Sequence, residues 1–384
     1  MSPAFSVYVH VPFCAIRCGY CDFNTYTAQE LTRDGTTVTQ ANYASTLATE
    51  IKMAGKQLGP RPISSIFIGG GTPTLLAPSA IADSLNLLEE QFGFLDGIEI
   101  TTEANPESVN VESLTQLREI GINRISFGMQ SAVPHVLSML DRTHSPQRLL
   151  ASVNEARDVG FEHISVDLIY GTPGESVLDW RRSIEVALEL PIDHISAYSL
   201  IVEEGTKFAR KVQTGEVVMP DDDATADKYL VAADEFERAG FAWYEVSNWA
   251  RPGGECRHNL AYWSGDEWWG FGPGAHSHLG GQRWWNVKHP AAYAQRLEAG
   301  EFPVLDREFL TPTQREVERI MLNIRTRKGL PVSTLARVAA EQALFDGYFD
   351  PTSYQSGQAV LTLKGRLMAD AVIRSLIGDL LAGG

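Results

Sequence analysis

Tyr8-Val9-His10-Val11-Pro12-Phe13-Cys14-Ala15-Ile16-Arg17-Cys18-Gly19-Tyr20-Cys21-Asp22-Phe23 is the stretch on which the reading of this sequence turns. Three of the four cysteines of the chain, Cys14, Cys18 and Cys21, fall there in a C-x3-C-x2-C run, directly after a strand-like apolar segment. Thiolates are the usual protein ligands of iron–sulfur clusters, and a tight loop brings several of them to one cluster. Three can hold three irons of a [4Fe–4S] cubane. The fourth iron then has no local cysteine, and an open coordination site marks chemistry, as it does in catalytic zinc sites. Structural zinc asks for four ligands in paired knuckles. Disulfides fit poorly with an odd set, and three free buried thiols remain the plain alternative.

Around this loop the chain alternates. Strand patterns at 5–11, 63–68, 97–102, 124–127, 163–168 and 194–200 are separated by amphipathic helical patterns such as 42–58, 111–120, 146–159 and 177–189. Strands alternating with helices imply βαβ units and a parallel sheet. Six such units suit an open (β/α)6 partial barrel in an α/β fold. In barrels of this kind the ligand site lies at the C-terminal ends of the strands. At those ends sit Gly69-Gly70-Gly71-Thr72-Pro73, Glu103, Gln130 and Asp167, with Arg142 after a helix. A triple glycine lets backbone approach a ligand, and no Gly-Lys-Ser/Thr follows to make it a P-loop. The polar residues could equally cap helices.

The cysteine run and the glycine motif together resemble the radical S-adenosylmethionine (SAM) superfamily, in which the amino and carboxylate groups of SAM fill the open iron site. The resemblance implies a [4Fe–4S] cluster on Cys14, Cys18 and Cys21, with Tyr8 and Tyr20 beside it. It places Gly70, Gly71 and Thr72 at the methionine end of SAM, and Glu103, Gln130, Arg142 and Asp167 around SAM or a second SAM-like ligand. A carboxylate such as Glu103 suits ribose hydroxyls.

After residue 203 the alternation stops. A helical pattern at 221–239 carries acids at its start, favourable against the helix dipole. Seven of the eight tryptophans then lie between Trp243 and Trp285, with His258, His276, His278 and His289 in or near them, and frequent glycines make the region read as loops. An aromatic-lined pocket with one imidazole suits haem, while a Trp-rich plug over the open side of the barrel suits the same composition. His258-Asn259-Leu260-Ala261-Tyr262-Trp263 is similar to the H-N-x-x-Y-W signature of the HemW-type haem chaperones, relatives of the oxygen-independent coproporphyrinogen III oxidases. This resemblance spans nearly the whole chain. It implies haem as a ligand, His258 as its axial ligand, and haem-acceptor proteins as partners. The second axial ligand is not fixed, with His276 and His278 as candidates. Phe23 stands where the oxidase branch carries a fourth cysteine, which counts against porphyrinogen decarboxylation through a 5′-deoxyadenosyl radical but leaves it as the alternative activity. Cys256 is open between a buried thiol, a haem-attachment residue and a redox-sensitive site; no C-x-x-C-H motif is present.

The division expected is 1–240 for the partial barrel, 241–300 for the Trp/His-rich segment and 301–384 for a small C-terminal module. Helical patterns at 308–325 and 364–381 flank a strand-like 359–363, as in a winged-helix-like unit. Residues 34–39 and 251–255 read as ordinary loops. The net charge of −16 disfavours a nucleic-acid partner. Cysteine usage and the absence of a secretory leader pattern point to the cytoplasm. No apolar run reaches the ~18 residues of a membrane span; a peripheral membrane contact and a homodimer stay open.

Overall fold

The computed structural model describes residues 4–33, 36 and 38–382, so the loop expected at 34–39 lies partly outside the described residues. Six parallel strands run in sequence order: β1 Phe5–Val11, β2 Ile63–Gly70, β3 Phe94–Ala104, β4 Arg124–Gln130, β5 His163–Tyr170 and β6 His194–Ser199. Helices such as Tyr43–Leu58, Pro146–Asp158 and Val177–Leu188 connect them, so the expected βα alternation is present.

Apart from β2, the strands place polar residues at about every second position, although parallel strands covered on both faces usually read as continuous apolar runs. Val7, Val9, Ile66, Ile68, Ile100, Ile125, Phe127, Ile164, Val166 and Ile195 are buried in the main apolar core. Their neighbours Tyr8, Phe67, Thr101, Glu103, Ser126, Asp167 and Ser196 line an interior cavity. The helices thus cover one face, and the other face curls around a polar lumen.

The loop expectation for 241–300 is corrected by the structure. The segment folds as strands β7 Ala242–Glu245, β8 Asn248–Ala250, β9 Glu267–Phe271, β10 His276–Leu279 and β11 Gln282–Asn286, and β12 Val304–Phe309 follows. All join one twelve-stranded sheet in the order β12-β11-β10-β9-β1-β2-β3-β4-β5-β6-β8-β7. β9 is parallel to β1, with Phe5 opposite Glu267 and Tyr8 opposite Gly270. The parallel core therefore has a seventh strand, and β10–β12 extend it as an antiparallel wing. Alternation along β9 and β11 sends Trp269 and Trp284 into the core, where their rings meet at 4.9 Å. It sends Trp268 and Trp285 to the opposite face.

Past β12 the chain builds a separate apolar core from the helices Pro312–Asn323, Arg337–Phe345 and Ala369–Ala382, with Ile320, Ile324, Phe349, Leu361, Val372 and Leu376 buried in it. A two-stranded ribbon, β13 Leu330–Pro331 and β14 Gln358–Ala359, completes the module. The helix expected from residue 308 begins at Pro312, because Thr311 and Gln314 form a reciprocal cap there and residues 304–309 pair with β11. Among the described residues no helix is long and apolar enough to cross a membrane.

Candidate functional site

The cysteine loop leaves the C-terminal end of β1 and is pinned back on it. The Cys14 amide donates to the Tyr26 carbonyl at 3.0 Å, and the Tyr26 amide to the Pro12 carbonyl at 2.7 Å. The glycine motif packs against this loop rather than standing apart from it. The Gly71 amide donates to the Val11 carbonyl at 2.8 Å and the Thr72 amide to the Phe13 carbonyl at 2.7 Å. A Cβ on Gly71 would lie 2.3 Å from the Phe13 carbonyl oxygen. Gly70 has φ +111°, and a Cβ there would meet the His10 ring at 2.6 Å, so both positions exclude a side chain for the sake of the loop.

The lumen is a cavity of about 530 Å³. Its lining includes Tyr8, Cys14, Cys18, Tyr20, Cys21, Gly70, Gly71, Thr72, Glu103, Gln130, Arg142, Asp167 and His258, but not His276 or His278, the candidates for a second axial ligand. The three cluster-motif thiols are half-buried at its mouth, and all four cysteines are free of disulfides. Among the described residues no three His, Cys, Asp or Glu side chains converge on a single metal ion. Three thiols on one loop are a donor set that a [4Fe–4S] cluster takes, one per iron. The fourth cysteine does not belong to the set: Cys256 is buried, its Sγ lies 3.5 Å from Glu99 Oε1, and burial pushes its thiol up to about 12. That is the environment of an inert thiol.

Arg142 ties the upper end of the cavity together. Its Nη2 donates to Asn105 Oδ1 and to the Gly128 carbonyl, both at 2.8 Å, while Nη1 is 3.7 Å from Cys18 Sγ. Asn105 Nδ2 in turn donates to Thr72 Oγ1 at 2.9 Å. Two non-glycine residues adopt left-handed backbone, Gln130 with φ 62° and Asp141 with φ 52°. One lines the cavity and the other precedes Arg142. Such strain persists where surrounding structure enforces it, and it concentrates at ligand sites.

Two carboxyl groups face the middle of the cavity. Glu103 Oε2 accepts the Gly70 amide at 3.0 Å. Burial, with the Asp167 charge adding to it, pushes the Glu103 carboxyl up to about 8. Burial also raises Asp167, to about 6, against the hydroxyls of Ser196 and Ser126 and the charge of Arg142. Ligand hydroxyls or a cationic ligand would replace the water these groups have lost.

The far end of the cavity is closed by the helix Arg257–Ser264, which carries the H-N-x-x-Y-W residues. Its N-terminus rests on Glu99 of β3, whose carboxylate accepts the Arg257 and His258 amides at 3.1 and 2.9 Å. Glu99 is also paired with Arg124 at 3.1 Å, deep in the lumen. His258 is 1 % exposed. Its Nδ1 meets Ser65 Oγ at 2.9 Å and its Nε2 meets the Tyr262 hydroxyl at 3.0 Å. Burial lowers its pKa to about 4, so the ring is neutral. Both ring nitrogens are thus within hydrogen-bond distance of a hydroxyl. His258 lines the lumen beside Phe67, with ring centroids 5.4 Å apart and planes tilted by 31°.

The sequence reading overlooked Asn105, Glu99, Arg124, Ser126, Ser196 and Phe67. The signal was there in the alternation of Ser6-Val7-Tyr8-Val9-His10, Glu99-Ile100-Thr101-Thr102-Glu103 and Arg124-Ile125-Ser126-Phe127. A parallel strand that keeps polar residues at every second position faces a cavity rather than a second apolar layer.

A family model of the radical SAM superfamily matches residues 8–187. The chain is 48% identical over 377 residues to "Heme chaperone HemW" of Mycobacterium tuberculosis, covering 97% of this chain and 95% of that protein. It is 34% identical over 386 residues to the protein of the same name from Bacillus subtilis, covering 98% and 100%. The solved structure of the coproporphyrinogen III oxidase HemN of Escherichia coli, a radical SAM enzyme, superposes with a TM-score of 0.83 at 23% identity, covering 98% of this chain and 90% of that one, which is a likeness of fold.

Proposed function

The chain belongs to the HemW family of the radical SAM superfamily, and on that footing we propose that it is a haem chaperone, which binds haem and passes it to acceptor proteins. The observation that carries this reading is end-to-end similarity to proteins named heme chaperones, at 48% identity over 97% of the chain. We assign the [4Fe–4S] cluster to Cys14, Cys18 and Cys21, whose half-buried thiols ring the cavity mouth without a fourth. SAM fits the cavity beneath them. Gly70, Gly71 and Thr72 would offer it backbone and hydroxyl groups, and Glu103, Gln130, Asp167 and the Arg142–Asn105 pair would hold its polar ends. When loaded, the cluster supplies one-electron chemistry to SAM. The protein's part is to position both and to exclude water. The division at 240 and 300 and a cytoplasmic location complete the proposal.

A second reading, an oxygen-independent coproporphyrinogen oxidase, is favoured by the fold shared with HemN. Against it, Phe23 occupies the place of that branch's fourth cysteine and is 54% exposed at the cavity mouth. The test is anaerobic. Cluster-reconstituted protein should bind haem stoichiometrically and leave coproporphyrinogen III unconsumed. Turnover of the porphyrinogen, with no stable haem complex, would replace the chaperone by the oxidase.

A further inference from the structure

Among the described residues Gln130 is the one lumen residue other than glycine with left-handed backbone, φ 62°. Its strand is irregular at this point. Gly128 stands opposite Asp167 and Gln130 opposite Leu168, so Met129 is the extra residue of a bulge in β4. The Ser131 amide then donates back to the Met129 carbonyl at 2.7 Å, which closes a three-residue turn around Gln130. A turn of this hand is rare and strained, and a bulge beside a ligand site re-aims a side chain. Here the Gln130 side chain is aimed towards Arg142. A Cβ on Gly128 would lie 3.0 Å from Gln130 Nε2 and 3.0 Å from Arg142 Nη2. The amide and the guanidinium thus flank one point of the cavity wall, and a glycine leaves that point open.

Strain of this kind persists where the surroundings enforce it. The enforcement comes from residues 141–144, between the helices Pro134–Met139 and Pro146–Asp158. Two side chains there grip successive carbonyls of β4. Arg142 Nη2 donates to the Gly128 carbonyl and His144 Nε2 to the Met129 carbonyl, both at 2.8 Å. The carbonyl that closes the turn around Gln130 therefore takes a second donor, from His144. On the other side of the turn, Ser131 Oγ meets Ser183 Oγ at 2.9 Å, and Ser183 Oγ accepts the Ala132 amide at 3.0 Å.

His144 is itself outside the lumen. It is 5% exposed and lines a smaller pocket of about 200 Å³ beside the cysteine loop. Its position is set by the residues that follow it. Ser145 caps the helix Pro146–Asp158 through the Arg148 amide, and the Arg148 guanidinium holds the Pro106 and Val109 carbonyls at 2.9 and 2.6 Å. Because Nε2 faces a carbonyl, the ring proton belongs on Nε2, and among the described residues no partner reaches Nδ1. Burial, with the Arg142 charge adding to it, lowers the pKa of the ring to about 4, so this neutral one-donor state holds at ordinary pH.

We propose that His144 is a positioning residue for the SAM site: its Nε2 proton holds the Met129 carbonyl and so keeps Gln130 in the left-handed turn that presents its amide to SAM. The assignment rests on the reading, given above, that Gln130 contacts SAM.

The test uses the full chain with its cluster reconstituted, SAM as the probe, and calorimetry for affinity. Wild type, Gln130→Ala, His144→Gln, His144→Phe and the double variant Gln130→Ala/His144→Phe are titrated side by side. His144→Phe removes the donor and should weaken SAM binding by ~3–10-fold, what one hydrogen bond contributes. His144→Gln, whose amide can donate to the same carbonyl, should bind close to wild type. In the Gln130→Ala chain the His144→Phe change should weaken binding no further, because the residue it positions is gone. Iron per chain should be the same in all five. Wild-type affinity in His144→Phe overturns the assignment. A full further loss in the double variant overturns it too, by making His144 a general packing residue, as does a fall in iron, which would tie it to the cysteine loop instead. Wild-type affinity in Gln130→Ala, with His144→Phe still weak, overturns the SAM contact of Gln130 and this inference with it. A wild type that binds no SAM overturns the SAM-site reading itself.

Discussion

Glu103 and Asp167 face one cavity from β3 and β5, and burial raises both, to about 8 and about 6. For Glu103 the sign is clear. Its ordinary value is 4.5, so at lower pH the folded and unfolded chains are both protonated there and nothing is lost. Between that value and about 8 the unfolded chain ionises while the buried carboxyl keeps its proton, so stability falls as pH rises through this window. Glu103→Gln should therefore raise the melting temperature, by a margin that grows from pH 5 to pH 8. SAM affinity should move the other way. If the ionised carboxylate takes the ribose hydroxyls, binding tightens as pH rises towards 8, at most ~10-fold per pH unit, and calorimetry on Glu103→Gln should show this slope removed. Arg142 offers a second test. Its Nη1 lies 3.7 Å from Cys18 Sγ, and hydrogen bonds and charge near the sulfurs set cluster potentials. Arg142→Gln should lower the reduction potential of the reconstituted cluster in a redox titration. An unchanged potential would leave Arg142 with only its Asn105 and Gly128 contacts to account for.

The elements that carry the site differ in how far their sequences announce them. Residues 5–11 and 63–68 read as strands from their β-branched content, and β1 and β2 are there. The Trp-rich segment read as loops because glycines break it into pieces of three to five residues. Its pairing is also remote: Ser6 sits opposite Trp268 and Tyr8 opposite Gly270, a contact no local pattern specifies. His258 was legible as a motif residue, but its partner Ser65 lies on β2, so its engaged nitrogens were not legible. The glycine motif was read as a ligand cradle, and the structure adds that it seats the cysteine loop. Gly71→Ala should therefore displace that loop: iron per chain should fall after reconstitution while far-ultraviolet circular dichroism stays native. The helix Arg257–Ser264 depends on Glu99 for its N-terminus, and Glu99 also neutralises Arg124. Removing one partner of such a buried pair costs about 3–5 kcal/mol, so Glu99→Ala should lose that much in denaturant unfolding.

At the scale of the molecule, one sheet serves a lumen on one side and a wing on the other, and the C-terminal module is fastened near both. Asn323 donates to the Trp263 carbonyl at 3.1 Å, and the Arg327 amide donates to the Tyr244 carbonyl at 2.8 Å. Arg366, 9% exposed, lies over the rings of Trp243 and Tyr229 at 4.5 and 5.7 Å. Buried cation–π contacts are worth about 2 kcal/mol, so Arg366→Ala should loosen the module and speed proteolysis in 301–311. The account as a whole stands on cargo leaving this chain for another protein. The measurement that tests it most directly is transfer: the cluster-reconstituted, haem-loaded chain is mixed with the apo form of a haem protein, and the Soret band of the acceptor is followed. The account predicts that the acceptor spectrum grows as that of the chain declines, under conditions where the chain without haem produces nothing. Haem that stays on the chain in the presence of excess acceptor would contradict it.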